Sequence, residues 1–202
     1  MKAYILDLGL GNLLSLRRGL ERAGAEVTIL MDTDDKKASE ADALVLPGVG
    51  GFRDGTAALS KFPAALVEVR RGKPLLGICL GMQLLFTKGF EGGEAAGLDL
   101  IKGQVLRLPA TVKVPHMGWS SVMKKEGSRL LRDNKDDEFF YFVHSYYCDS
   151  FEKEAVSAEF DYGVVSAAAV EKGNIFGTQF HPEKSGAAGQ VLLKNFLKEA
   201  KR

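Results

Sequence analysis

Hydrophobic positions along this chain follow two patterns in turn. Short, mainly apolar runs at residues 2–8, 26–30, 43–46 and 74–79 read as strands. Between them the period is helical. Leu13, Leu16, Leu20 and Ala23 recur on one face until Gly24 ends the run. Asn12, after the turn Gly9-Leu10-Gly11, is placed to cap this helix. Residues 32–40 are polar and read as a surface loop, and residues 56–71 read as a second helix kinked near Pro63. Met82, Leu84, Leu85 and Phe86 suit a third helix with one apolar face. The order β-α-β-β-α-β-α, with uninterrupted apolar strands, predicts a parallel sheet covered on both faces.

The second half changes character. Residues 98–108, 117–124, 138–148, 155–160, 164–171 and 174–177 read as strands, and residues 187–200 as a closing helix. Alternation is visible in parts, which predicts an antiparallel addition to the main sheet. With no repeat, low-complexity stretch or linker, residues 1–202 are expected to form one domain.

Composition acts mainly by exclusion. The 27 Lys and Arg nearly balance the 26 Asp and Glu, for a net charge of +1, which argues against a nucleic-acid or polyanion binder. Two cysteines, Cys79 and Cys148, show neither metal spacing nor a disulfide framework, as expected of a reducing compartment. No signal peptide precedes the first strand, and no apolar run is long enough to span a membrane. A cytoplasmic protein is expected.

Candidate chemistry centres on Gly77-Ile78-Cys79-Leu80-Gly81. A strand that turns sharply into a helix, with a nucleophile flanked by glycines two residues away on either side, is a nucleophile elbow. The glycines admit a strained turn that side chains would obstruct. Cys79 then sits at a helix N-terminus, where partial positive charge favours the thiolate. A second stretch, His181-Pro182-Glu183, follows the strand at 174–177 and supplies a base and a group to orient it.

Pro47-Gly48-Val49-Gly50 fails both phosphate-loop and dinucleotide patterns. Beside an elbow it reads as an oxyanion turn, with the backbone N–H of Leu80 as second donor. His116 and His144 match no metal motif, and Cys148 reads as a bystander. The aromatic run 139–147 reads either as a buried strand or, at its polar end His144-Ser145-Tyr146, as pocket lining. Trp119 beside Met117 reads either as core or as an anchor at a partner interface.

The elbow through Gln83, together with His181-Pro182-Glu183, resembles the class I (triad) glutamine amidotransferases. Pro115-His116-Met117-Gly118-Trp119, Tyr141-Phe142-Val143-His144-Ser145-Tyr146 and Gln179-Phe180-His181-Pro182-Glu183-Lys184-Ser185 narrow the resemblance. They are similar to the glutaminase subunit of imidazole glycerol phosphate synthase, an enzyme of histidine biosynthesis. The resemblance covers almost the whole chain. It implies a flavodoxin-like three-layer α/β fold with a mainly parallel central sheet and an antiparallel extension.

It also implies roles. Cys79 attacks the side-chain amide of glutamine, His181 carries the proton to the departing ammonia, and Glu183 orients His181. The backbone at Val49, Gly50 and Leu80 holds the oxyanion. Gln83, Glu91, Ser145 and Tyr146 match positions that grip the amino-acid end of glutamine. Neither cofactor nor metal is implied. The ammonia passes to a (β/α)₈-barrel cyclase partner in a one-to-one heterodimer. The partner makes imidazole glycerol phosphate and aminoimidazole carboxamide ribotide, and Asn12, Met117, Trp119 and Lys184 resemble its contact positions. The lone subunit is expected to be nearly inactive. Rivals are the glutaminase subunit of pyridoxal phosphate synthase, a stand-alone cysteine hydrolase such as a γ-glutamyl peptidase, and a non-catalytic binding module, which predicts a broken triad.

Overall fold

The computed structural model describes residues 1–11 and 13–201; the cap expected at Asn12 lies outside them. Five short apolar strands, β1 (Lys2–Leu6), β2 (Glu26–Leu30), β3 (Ala43–Leu46), β4 (Leu75–Ile78) and β13 (Ile175–Thr178), pair in parallel in the order β2-β1-β3-β4-β13. Four more extend the sheet antiparallel: β12 (Val165–Lys172), β11 (Val156–Asp161), β8 (His116–Lys124) and β9 (Glu138–His144). This is the expected mainly parallel sheet with an antiparallel extension.

The central strands are buried on both faces, which is why their sequences are apolar without alternation. Ala3, Ile5, Val45, Leu76 and Ile78 face Leu16 and Leu20 of α1 (Leu13–Ala23) and Leu192, Leu193 and Phe196 of α5 (Gly186–Glu199). Their neighbours Tyr4, Leu6, Leu44, Leu46 and Leu75 face the opposite core. That core also holds Leu59 of α2 (Phe52–Leu59) and Ala65 and Val69 of α3 (Pro63–Arg70). Each such fully buried large side chain contributes about 1.5–3 kcal/mol.

Several elements depart from the sequence expectation. The helix expected over 56–71 is two helices. α2 starts at Phe52 because the Glu91 carboxylate, remote in sequence, accepts the Phe52 N–H at 2.8 Å. Pro63 opens α3 rather than kinking a longer helix, consistent with its missing donor. The helix after Cys79 is a single turn, α4 (Leu80–Gln83), and Phe86 instead begins β5 (Phe86–Gly89). Residues 80–86 are buried on all sides. The carbonyls of Leu84 and Leu85 accept N–H groups from Leu98, Leu100 and Ile101 at 2.8–3.1 Å, so no helical face forms.

The strand expected at 138–148 breaks at Ser145. β9 stays in the large sheet, whereas β10 (Tyr146–Ser150) joins a second sheet of order β10-β7-β5-β6 with β7 (Ile101–Arg107) and β6 (Ala95–Ala96). The polar stretch Asp32–Glu40 is not loop but 3₁₀-helix, with Asp35 buried. Asp35 accepts the N–H groups of Ala64 and Ala65, which open α3. Lys73 donates to the carbonyls of Ala38, Ser39 and Ala41 at 2.6–2.9 Å. Replacing Lys73 with Met keeps the aliphatic stem and leaves these acceptors without their ammonium. Urea unfolding should show about 1–3 kcal/mol less stability for Lys73→Met.

Candidate active site

The site forms where β4 ends. Cys79 adopts φ 52°, ψ −106°, a left-handed conformation that non-glycine residues rarely hold. Neighbouring backbone passes too close for it to relax. A Cβ on Gly77 would lie 2.5 Å from the Gly81 carbonyl, one on Gly81 would overlap the Leu46 carbonyl, and one on Gly48 would overlap that of Ile78. Glycines at 48, 77 and 81 therefore let the Pro47–Gly50 turn, β4 and α4 interlock. The Cys79 N–H donates to Thr178 O at 2.7 Å, which ties the elbow to β13. α4 is one turn long, so its free N–H groups act locally and no long helix dipole stands behind Cys79.

His181 and Glu183 stand just after β13, at the 3₁₀ turn Pro182–Lys184. This turn is held by close packing. A Cβ on Gly19 of α1 would lie 3.2 Å from Glu183 Cβ, and Gly189 of α5 lies against the Pro182 carbonyl. The His181 N–H donates to Tyr141 O at 2.9 Å, and His181 Nδ1 lies 2.8 Å from Glu183 Oε1. Nδ1 therefore carries a proton toward the carboxylate, and Nε2, which makes no hydrogen bond, is the atom left for chemistry. Burial disfavours the imidazolium. Cys79 and Glu183 outweigh it and push the His181 pKa up to about 10.

A cavity of about 230 Å³ opens over the sulfur. Val49, Gly50, Cys79, Leu80, Gln83, Glu91, Ser145 and Tyr146 line it, so every residue expected for the oxyanion and for glutamine meets there with the cysteine. Gln83 is buried, and its Nε2 donates to Tyr146 O at 3.0 Å and Gln179 Oε1 at 3.2 Å. Glu91 lines the cavity while its Oε2 holds the first N–H of α2. It thus stands as a fixed carboxylate at one wall. Gly50 has φ 120°, which keeps the oxyanion turn a glycine position.

Pro115, Val143 and His144 complete the lining; for His144 this matches the pocket-lining alternative of the sequence reading, whereas Pro115 and Val143 carried no assigned role. His144 Nδ1 lies 2.8 Å from Tyr146 O and must donate there. Its Nε2 then accepts from His116 Nδ1 at 3.1 Å, and His116 Nε2 accepts from Ser120 Oγ at 2.9 Å. Burial lowers the His144 pKa to about 4, which matches this neutral, fully bonded tautomer. The pair bridges β8 and β9 and shapes the wall. Among the described residues, no group of three or more His, Cys, Asp or Glu side chains is arranged to hold a metal.

The remaining predicted residues lie outside the cavity. Met117 and Trp119, two apart on β8, are 64% and 53% exposed. Trp119 pairs with Tyr141 of β9, edge to face at 6.0 Å, and the Lys184 ammonium sits 5.8 Å from the Tyr141 ring. Asn12 lies outside the described residues.

The family profile described as glutamine amidotransferase class-I matches residues 4–200. The chain belongs to the class I glutamine amidotransferases. Relatives of this amidotransferase include the imidazole glycerol phosphate synthase subunit HisH of Moorella thermoacetica, 50% identical over 196 residues, 95% of this chain and 92% of that one. The subunit of the same name from Aquifex aeolicus is 42% identical over 205 aligned residues, 100% of this chain and 99% of that one. In fold, the amidotransferase matches the structure of PurLQS from Thermotoga maritima. The TM-score is 0.76 at 20% identity, over 98% of this chain and 97% of that one.

The most informative residue missed as a site member is Gln179. It is wholly buried and its Nε2 lies 3.6 Å from Cys79 Sγ. Its place two residues before His181, at the end of a strand next to β4, was the available signal.

The raised His181 pKa has a checkable consequence. His181 stabilises the fold fully below its ordinary value near 6.5 and ceases to do so as pH rises through about 10. Histidine NMR titration should find it protonated at neutral pH. Cys79→Ala should move that titration downward, because burial then opposes Glu183 alone.

Proposed function

We propose that this amidotransferase is the glutaminase subunit of imidazole glycerol phosphate synthase in histidine biosynthesis, acting as one domain across residues 1–202. The observation that carries the residue roles is that Cys79 lines one cavity with Gln83, Glu91, Ser145 and Tyr146 while it also interacts with the His181 imidazole that Glu183 holds. Relatives 50% and 42% identical bear that subunit's name, and the match spans nearly their full length.

His181 Nε2 takes the Cys79 thiol proton, and Sγ attacks the side-chain amide carbon of glutamine. The N–H of Leu80 and those of Val49 and Gly50 take the developing oxyanion. His181 Nε2–H protonates the amide nitrogen, which leaves as ammonia and gives a glutamyl thioester. Water, deprotonated by His181, attacks the thioester. Glutamate departs and the thiol is restored. Glu183 holds the imidazole in the tautomer that presents Nε2 to the reaction. Glu91 receives the substrate ammonium, and Gln83, Ser145 and Tyr146 bind the rest of its amino-acid end.

The cyclase subunit, a (β/α)₈ barrel joined one to one, docks on the exposed face of β8 and β9 formed by Met117, Trp119 and Tyr141, with Lys184 beside it. Two observations support this surface. Large apolar side chains are exposed there side by side. The same two strands end at Pro115, Val143 and His144 on the cavity wall, so contact outside reaches the site inside. The pair of subunits works in the cytoplasm, where free buried cysteines persist. Among the described residues no helix is long and apolar enough to cross a membrane.

Glutamate release from glutamine tests the reading. The chain mixed with the cyclase subunit and its nucleotide ligand should be strongly active and the chain alone nearly inactive. Cys79→Ala should lower the complex's rate by about 10⁴-fold or more. Trp119→Ala should weaken assembly by about 2 kcal/mol in a binding titration while leaving the lone chain's melting temperature within a few degrees. Full activity without the partner would move the assignment to a stand-alone hydrolase.

A further inference from the structure

We infer that Gln179 is a positioning residue for the nucleophile: its amide holds a permanent N–H donor against Cys79 Sγ and couples the sulfur to the glutamine-gripping wall of the cavity. This deepens the proposed function and rests on Cys79 being its nucleophile.

The geometry defines the amide's orientation. Gln179 Oε1 accepts from Gln83 Nε2 at 3.2 Å and from Cys148 Sγ at 3.9 Å. With two donors on the oxygen, the nitrogen must be the end that faces Cys79, at 3.6 Å. The side chain has no solvent exposure, and its main-chain N–H is bonded to Ala168 O at 2.8 Å, so the residue is pinned at both ends. Cys148 is therefore not a bystander. Burial pushes its pKa up, which keeps its proton in place to donate to Gln179.

The other polar neighbours of the sulfur explain why such a donor matters. Val143 O, 3.7 Å away, is an acceptor, favourable to a thiol and unfavourable to a thiolate. His181 Nε2 makes no hydrogen bond and gives its proton away during the reaction. Gln179 Nε2–H can neither be lost nor turned, so it supports the thiolate before attack and again when the thioester sulfur departs. Because Gln83 bonds both Gln179 and Tyr146 O, occupation of the substrate wall and the aim of the sulfur are linked through one amide.

The test is the pH dependence of iodoacetamide alkylation of the full chain, followed at Cys79 by mass spectrometry, with Cys79→Ala as the blank. Gln179→Met removes the donor at nearly constant shape. It should raise the midpoint of alkylation by about one pH unit, seen as a roughly tenfold slower reaction below both midpoints. Thermal melting reports whether each variant folds. If Gln179→Met does not fold, the Cys148 pair decides. Cys148→Ser keeps a donor to Gln179 and the wild-type midpoint, whereas Cys148→Ala releases the amide and raises it. An unchanged midpoint in folded Gln179→Met, or equal midpoints in the two Cys148 variants, overturns the inference. A shifted midpoint in a chain that never hydrolyses glutamine with its partner would uphold the role of Gln179 and place the failure with the proposed function.

Discussion

The structure depends on one steric constraint, the interlock of three glycines around Cys79. Gly48, Gly77 and Gly81 each bring backbone to a distance that a single methyl group would forbid. Their contact draws the ends of β3 and β4 and the start of α4 into one knot. The knot holds Cys79 at a positive φ that the chain would otherwise relax. The Pro47–Gly50 turn and the N–H of Leu80 are adjacent because Gly48 lies directly against the α4 N-terminus. Under the proposed mechanism, nucleophile and oxyanion donors are parts of a single rigid contact, which is what electrostatic preorganisation requires.

Around that knot the site is built by elements remote in sequence. β13 runs beside β4 in the middle of the sheet and delivers Gln179, His181 and Glu183 to the same end of the strands. α1 and α5 close on the turn that carries Glu183 through their own glycines, Gly19 and Gly189. The opposite wall comes from the corner at Ser145, where one aromatic strand leaves the large sheet for the small one. Tyr146 O, bonded by both Gln83 and His144, pins that corner. Polar groups inside the site are therefore tied to main chain on several strands, and this rigidity is a reason for their burial.

The same arrangement relates the cavity to the outer surface. β8 and β9 expose Met117, Trp119 and Phe139 on one face and bury Phe140, Phe142, His116 and His144 on the other. Alternation along two strands places a sticky exterior and a bonded histidine pair back to back. The ladder that the two strands form ends at Pro115, Val143 and His144 in the cavity lining.

Much was legible in the sequence because its signals are local. The unbroken apolar run of β3 marks that strand to the residue, since a strand buried on both faces tolerates little else, whereas β2, at the sheet edge, carries Glu26 and Thr28. The elbow and His181-Pro182-Glu183 announce their chemistry because glycine and proline at fixed spacing have few other uses there. What only the tertiary structure decided depends on long-range partners. Glu91 starts α2 early, the 98–101 segment truncates the helix after Cys79, and a change of sheet divides one aromatic run at Ser145. Gln179 and Cys148 belong to this second group. Apart from the place of Gln179 two residues before His181, nothing in their immediate sequence distinguishes a buried amide and a buried thiol from ordinary core residues. Their roles arise from the direction of hydrogen bonds between strands that meet only in the folded chain.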